Sequence, residues 1–394
     1  MSNVLVGNCS EVMAGMDAAS VDAIVCDPPY GLKFMGKAWD HGVPGVPFWT
    51  AALRVAKPGA HLLAFGGTRT HHRLACAIED AGWEIRDCLM WLYGSGFPKS
   101  HDVSKAIDKA TGAEREVVAL NPNSRPAKRK GGAGFDATVG GEPLGDMCIT
   151  APATHEAQQW SGWGTALKPA WEPIIMARKP LDGTVANNTL THGCGGLNID
   201  GCRVEGVPPS TVQGQSDNKE IYAADQRDKR AFTPHPTGRW PANVIHDGSQ
   251  EVLDGFPETK SAGKARVGGK ATQGGEGGLL GVGNHEGNGM RYGDNGGSAA
   301  RFFYCAKANK KDRGDGNTHP TVKPTALMQY LCRLVTPPGG TVLDPFAGSG
   351  STLLAAHAEG FSSIGIEINP TYCDLIAARL EKLTGKEVGL WAAQ

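Results

Sequence analysis

The chain has 394 residues, 40% of them hydrophobic, and a formal net charge of −1, enough to bury one large core with a further small domain or long insertion. No stretch reaches the apolar length of a membrane span, which excludes a helical membrane protein, and a charge near zero leaves basic character to local patches. Ten cysteines occur without a Cys-x-x-Cys pair, so neither a disulfide scaffold nor a standard zinc module is expected. His192, Cys194 and Cys202 match no zinc spacing, residues 1–3 begin no signal pattern, and a reducing cytoplasm is the expected compartment.

In chain order, short apolar runs at 4–6, 21–26, 61–65 and 85–91 predict strands, with helices over 49–55 and 70–81 between them. The second strand ends in Asp27-Pro28-Pro29-Tyr30. Two prolines fix φ and remove two N–H donors, so this turn offers acceptors only. The Asp27 carboxylate and the Pro28 carbonyl can take the two N–H bonds of a planar amine, while Tyr30 supplies a flat face for an extruded ring. A rigid strand-to-loop turn would have the same composition. The following loop, 31–47, carries Phe34, Met35, Trp39 and Asp40, which can either cover such a ring or pack the loop onto the sheet.

From about 100 to 160 the periodicity dissolves into Gly-, Pro- and Lys/Arg-rich sequence. A buried strand is predicted at 172–177, 180–300 reads as irregular, and 301–306 as an edge or linking strand. Four basic runs, 125–130 with Lys128-Arg129-Lys130, 227–230, 260–270 and 307–313, lie between the two ends of the chain, and one or more of them is expected to meet a polyanion backbone.

The C-terminal part regains strong periodicity. A helix over 325–335 leads through Pro337-Pro338-Gly339-Gly340 to a strand at 341–343, then Asp344-Pro345-Phe346-Ala347-Gly348-Ser349-Gly350-Ser351-Thr352 and a helix over 351–359. A Gly-rich turn before a helix suits an anionic group and close backbone approach. It lacks the Gly-Lys-Ser/Thr of a phosphate loop and the three-glycine dinucleotide spacing. The strand at 362–366 closes on Glu367, placed to accept both hydroxyls of a ribose, and Asn369-Pro370 opens a further helix.

The two strings together resemble the motif pair of S-adenosylmethionine-dependent DNA amino-methyltransferases, adenine-N6 or cytosine-N4. The order resembles that of the permuted beta group, in which the catalytic half precedes the cofactor half. His319-Pro320-Thr321-Val322-Lys323-Pro324 is similar to the family's segment before the cofactor strand, and Gly7-Asn8-Cys9 to its Gly-Asp-Cys, with Asn8 in place of Asp. Shorter stretches, 167–173 and 238–243, resemble phage and prophage members.

The resemblance implies an α/β fold, a mostly parallel methyltransferase sheet flanked by helices with a large irregular target-recognition insertion. It implies a catalytic half at 1–100, a DNA-binding insertion at 101–300 and a cofactor half at 301–394. Asp27, Pro28, Pro29 and Tyr30 are then catalytic. Asn8, Cys9, Thr321, Lys323, Asp344, Pro345, Phe346, Ala347, Gly348, Gly350, Ser351, Thr352, Glu367 and Asn369 bind S-adenosylmethionine, without a metal. Phe34, Trp39, Lys128, Arg129 and Lys130 contact double-stranded DNA. Asp27, where cytosine enzymes more often have Ser, favours adenine N6 over cytosine N4. An RNA or protein-amide methyltransferase and an inactive DNA-binding relative are the competing readings. A partner restriction endonuclease and a homodimer are both compatible with the family, in a bacterial or phage-infected cell.

Overall fold

The computed structural model describes residues 2–32, 40–120, 148–206, 238–259, 297–307, 322–386 and 389–392, with short pieces at 138–139, 142–143, 312, 317 and 319. The chain forms two compact units, Met1–Gly94 with Trp171–Gln394, and Ser95–Ala170.

The larger unit is built on a ten-stranded sheet. Its strands are β1 (Ser2–Val6), β2 (Val21–Cys26), β3 (Ala56–Phe65), β4 (Glu84–Leu92), β5 (Trp171–Arg178), β6 (Val244–His246), β7 (Tyr304–Cys305), β8 (Thr341–Asp344), β9 (Ser362–Glu367) and β10 (Leu390–Ala392). They lie in the order β7-β6-β4-β5-β3-β2-β8-β9-β1-β10. Every described pairing is parallel except those of β5, which runs antiparallel between β3 and β4. Parallel strands need crossovers, and helices supply them on both faces: α1 (Cys9–Gly15), α2 (Val46–Val55), α3 (His71–Asp80), α4 (Val185–His192), α5 (Thr325–Val335), α6 (Ser351–Ala358) and α7 (Pro370–Thr384).

Coverage on both faces explains why β2 is an unbroken apolar run apart from Asp22: all six of its residues are buried. Ile24 and Cys26 join Trp49, Leu62, Leu74 and Ile78 on one face. Ala23 and Val25 join Phe65, Leu327, Leu331 and Val342 on the other. Asp22 ties the neighbouring strands, taking the Lys57 ammonium at 2.6 Å and the Thr341 N–H at 2.8 Å. Cys194 and Cys202 pack in the cores on opposite faces.

Three expectations change. The stretch 180–300, which reads as irregular in sequence, holds α4 and β6 among its described residues. The edge strand predicted at 301–306 is present but shortened to β7, Tyr304–Cys305, because residues 301–302 belong to a 3₁₀ turn, Ala299–Phe302, in which the Arg301 guanidinium donates back to the Gly297 and Ser298 carbonyls. The segment 100–160 is not patternless where it is described. It contains a helix at Val103–Thr111 and a strand pair, Val117–Leu120 with Cys148–Thr150. A polar centre rather than an apolar stripe orders it: the buried Asp108 carboxylate accepts from Arg115 at 2.5 Å, the Thr154 hydroxyl at 2.8 Å and the Ala153 N–H at 3.0 Å. Hydrophobic periodicity does not report such a centre.

Candidate active site

The turn after β2 is held from both sides. Thr70 Oγ1 donates to the Tyr30 carbonyl at 2.6 Å, and the Gly31 and Leu32 N–H groups donate to the Asp40 carboxylate at 2.7 and 3.1 Å. Gly31 takes φ +68°, a left-handed conformation that suits glycine. Asp40, from the loop expected either to cover a base or to pack onto the sheet, is buried and clamps the turn through these two N–H groups.

Four side chains meet at this turn. Lys323 Nζ lies 2.8 Å from Asp27 Oδ2, 3.1 Å from Glu172 Oε2 and 3.1 Å from the Tyr30 hydroxyl. The Tyr30 hydroxyl is 2.8 Å from Asp27 Oδ1 and 3.1 Å from Glu172 Oε2. Burial works against the Lys323 ammonium, but the Asp27 and Glu172 carboxylates outweigh it and raise its pKa. Burial, reinforced by the same two carboxylates, pushes Tyr30 well above the usual phenol range and keeps it a hydroxyl. Lys323 also sits 4.7 Å from the Phe65 ring centre, a cation–aromatic contact that holds the stem in place. Cys26, one residue before Asp27, is fully buried, and burial raises its thiol well above the ordinary range.

The Gly-rich turn follows β8. Asp344 Oδ1 accepts the Phe346 N–H at 3.0 Å, and Gly348 and Gly350 take φ of +53° and +79°. Glu367 at the end of β9 holds this turn: its two carboxylate oxygens accept the Gly348 N–H and the Asn369 N–H, each at 2.9 Å. The Ile368 N–H also bears on this carboxylate, which keeps lone-pair capacity for a further donor. Burial raises the pKa of Glu367 and pushes Asp344 up to about 7. His319 lies over Gly348, where an added Cβ would stand 3.2 Å from its Nε2, and its ring meets Tyr372 edge-on at 4.7 Å. Asn8 caps α1, its side-chain oxygen accepting the Ser10 N–H at 3.0 Å.

One cavity of about 490 Å³ joins the two turns at the carboxyl ends of β2 and β8. Of the predicted site residues, Asn8, Cys9, Asp27, Pro28, Pro29, Tyr30, Lys323, Pro345, Phe346, Glu367 and Asn369 line it. Asp344, Ala347, Gly350, Ser351 and Thr352 are buried beneath the turn, and Gly348 is covered by His319. Phe34, Trp39, Lys128, Arg129, Lys130 and Thr321 lie outside the described residues. Glu172, His319 and Tyr372 line the cavity without having been expected as site residues. For Glu172 the available signal was a carboxylate near the start of a mostly apolar strand. A larger cavity, about 640 Å³, opens at the amino ends of the strands near Asp22 and His61 and contains none of the predicted residues.

An acceptor-rich turn and a glycine turn closed by an acidic residue thus face one cavity on an α/β sheet, and the class of the chain is given by its sequence. It matches the model of the family described as DNA methylase, of the N6/N4 methyltransferase type, over residues 21–378, and the chain belongs to that family. It is similar to the type II methyltransferase M.ScaI of Streptomyces caespitosus, 36% identical over 81 residues, 21% of this chain and 27% of that protein. It is also similar to the DNA adenine methyltransferase YhdJ of Escherichia coli, 48% identical over 63 residues, 16% of this chain and 21% of that one. The alignments thus span about a quarter of these curated relatives. Among solved structures, the PvuII DNA methyltransferase (cytosine-N4-specific) aligns over 96% of this chain and 86% of that one, with 14% identity and a TM-score of 0.42.

Proposed function

We propose that the protein methylates double-stranded DNA at the exocyclic amine of a base, adenine N6 in the first reading, with S-adenosylmethionine as the methyl donor. The observation that carries the proposal is the cavity that the Asp27–Tyr30 turn and the Phe346–Glu367 turn share. Its donor set fits the cofactor: Glu367 keeps lone pairs for a ribose, Asn8 and Asn369 offer amides, and Phe346, Ile366, Ile368 and Tyr372 give apolar flanks for an adenine ring. When bound, the cofactor supplies an electrophilic methyl group.

The chain's own residues do the rest. Asp27 accepts one N–H of the target amine and the Pro28 carbonyl the other, which returns nitrogen lone-pair density from the ring to the nucleophile. Tyr30 bears on the extruded base, with Phe34 and Trp39 as further contacts from the loop that follows. Lys128, Arg129 and Lys130 meet the DNA backbone in the proposed insertion, 101–300, between a catalytic half at 1–100 and a cofactor half at 301–394. The permuted order of the halves is part of the proposal.

Asp27 and the likeness to an adenine methyltransferase support adenine. The second reading, cytosine N4, is favoured by the family type, which takes in both amines. Incubating the purified protein with methyl-labelled S-adenosylmethionine and duplex DNA, then analysing the nucleosides by mass spectrometry, separates the outcomes. N6-methyldeoxyadenosine is expected, N4-methyldeoxycytidine would establish the second reading, and unlabelled DNA would overturn both.

A further inference from the structure

We infer that Glu172 is a positioning residue for methyl transfer, sharing the Lys323 ammonium and the Tyr30 hydroxyl so that the Asp27 carboxylate keeps its negative charge toward the target amine. The inference rests on the DNA methyltransferase reading above and adds a residue to its machinery.

The charge count comes first. One ammonium, Lys323, stands against two carboxylates, Asp27 at 2.8 Å and Glu172 at 3.1 Å, so the group carries a net charge of −1. The three side chains are only 26%, 19% and 11% exposed for Asp27, Glu172 and Lys323, so water screens them weakly. An Asp27–Lys323 pair alone would be neutral. As the N–C bond forms from the nitrogen lone pair, the S–C bond breaks and sulfur keeps its electron pair. The nitrogen gains positive charge until it sheds a proton to solvent. A neutral pair meets that charge with a dipole, whereas the triad meets it with a full negative charge already in place.

The hydroxyl makes the same point. Tyr30 has one proton and two acceptors, Asp27 Oδ1 at 2.8 Å and Glu172 Oε2 at 3.1 Å. A phenol that donates to Asp27 weakens that carboxylate as an acceptor. Glu172 is the alternative acceptor when the target amine arrives. All three N–H bonds of Lys323 already have partners in Asp27, Glu172 and Tyr30, so its charge is divided rather than delivered to Asp27 alone. Glu172 is well placed to hold this arrangement. It is the second residue of β5, pairs in register with Trp91 of β4, and precedes Pro173, whose carbonyl accepts the Gly66 N–H at 2.9 Å.

The test compares single-turnover methylation of duplex DNA, at saturating S-adenosylmethionine, by the wild type, Glu172→Gln, Glu172→Asp and the double variant Glu172→Gln/Lys323→Met. Thermal melting confirms that each is folded, and fluorescence of 2-aminopurine at the target position reports base capture. Glu172→Gln should lose ~10-fold or more in the chemical step, with DNA affinity within a few-fold of wild type. Glu172→Asp should recover most of the rate. The double variant should be faster than Glu172→Gln, because removing the cation as well restores a net charge of −1. A folded Glu172→Gln within three-fold of wild type overturns the inference, as does a double variant slower than the single one. Either result beside an active wild type leaves the methyltransferase reading standing. A wild type that labels no DNA removes that reading and this inference with it.

Discussion

The Lys323 ammonium lies 2.8 Å from the Asp27 carboxylate, although 296 residues separate them along the chain. The contact joins two segments whose strands, β2 and β8, are neighbours in the middle of the sheet. It makes the proposed catalytic turn a charged cluster rather than an isolated acceptor, and the expectations for Asp27 and Tyr30 follow from that.

Replacing Asp27 with Ala should cut methyl transfer by ~10²–10³, the usual cost of losing a preorganised group that meets developing charge. Lys323 keeps Glu172 as its partner in this variant, so the fold should survive and cofactor and DNA affinity should change little. Single-turnover rates decide it. A rate within a few-fold of wild type would remove this turn from the active site.

Tyr30 should separate ring from hydroxyl. Tyr30→Phe keeps the ring and loses only the hydroxyl contacts to Asp27, Glu172 and Lys323, so base capture should persist. Tyr30→Ala should weaken capture by the ~1–3 kcal/mol of a base–aromatic stack. Fluorescence of 2-aminopurine at the target position measures both. Equal loss in the two variants would place the contribution in the hydroxyl instead.

Glu367→Ala removes the acceptor of two backbone N–H groups, Gly348 and Asn369, besides the proposed ribose contact. A fully buried unsatisfied donor costs ~1–3 kcal/mol, but the Gly348 contact is only part-buried and the Asn369 contact is exposed, so the melting temperature should fall by less than that implies, together with affinity for S-adenosylmethionine. Glu367→Gln, which keeps one acceptor oxygen, should lie between the two. Calorimetric titration with unchanged affinity in the Ala variant would exclude Glu367 from the cofactor site.

Asp344 gives a pH dependence with a definite sign. Burial pushes its pKa from the ordinary 3.8 to about 7, so between those values the folded state holds a proton that the unfolded state has lost. Its contribution therefore favours folding at low pH and declines as pH rises toward 7. Asp344→Asn lacks that decline while its side-chain oxygen can still accept the Phe346 N–H. The melting temperature of the variant relative to wild type should rise between pH 5 and pH 8. A constant difference would mean that Asp344 is ionised throughout.

DNA affinity should fall steeply with salt, and neutralising Lys128, Arg129 and Lys130 together should reduce the log–log slope by up to about 2.7 without changing sequence preference. This expectation comes from the sequence run alone, since these residues lie outside the described structure. Binding isotherms across a salt series test it, and an unchanged slope would make the run a solvated loop.

What the sequence determined by itself is local. The six-residue run of β2, the double proline after it and the glycine pair after β8 follow from backbone sterics and from burial on both faces, which leave their marks in consecutive residues. The family was legible for the same reason, because its motifs are short and contiguous. Glu172 was not, since nothing in its own neighbourhood reveals that β5 runs antiparallel between β3 and β4 and brings its first carboxylate to Tyr30. Asp40 read as a loop residue because the two N–H groups it clamps lie across a turn. Asp108 was missed in a segment that looked patternless, its partners lying 7 to 46 residues away. Charges and hydrogen bonds act between side chains at 2.5–3.2 Å, and only the packed sheet brings such distant residues that close.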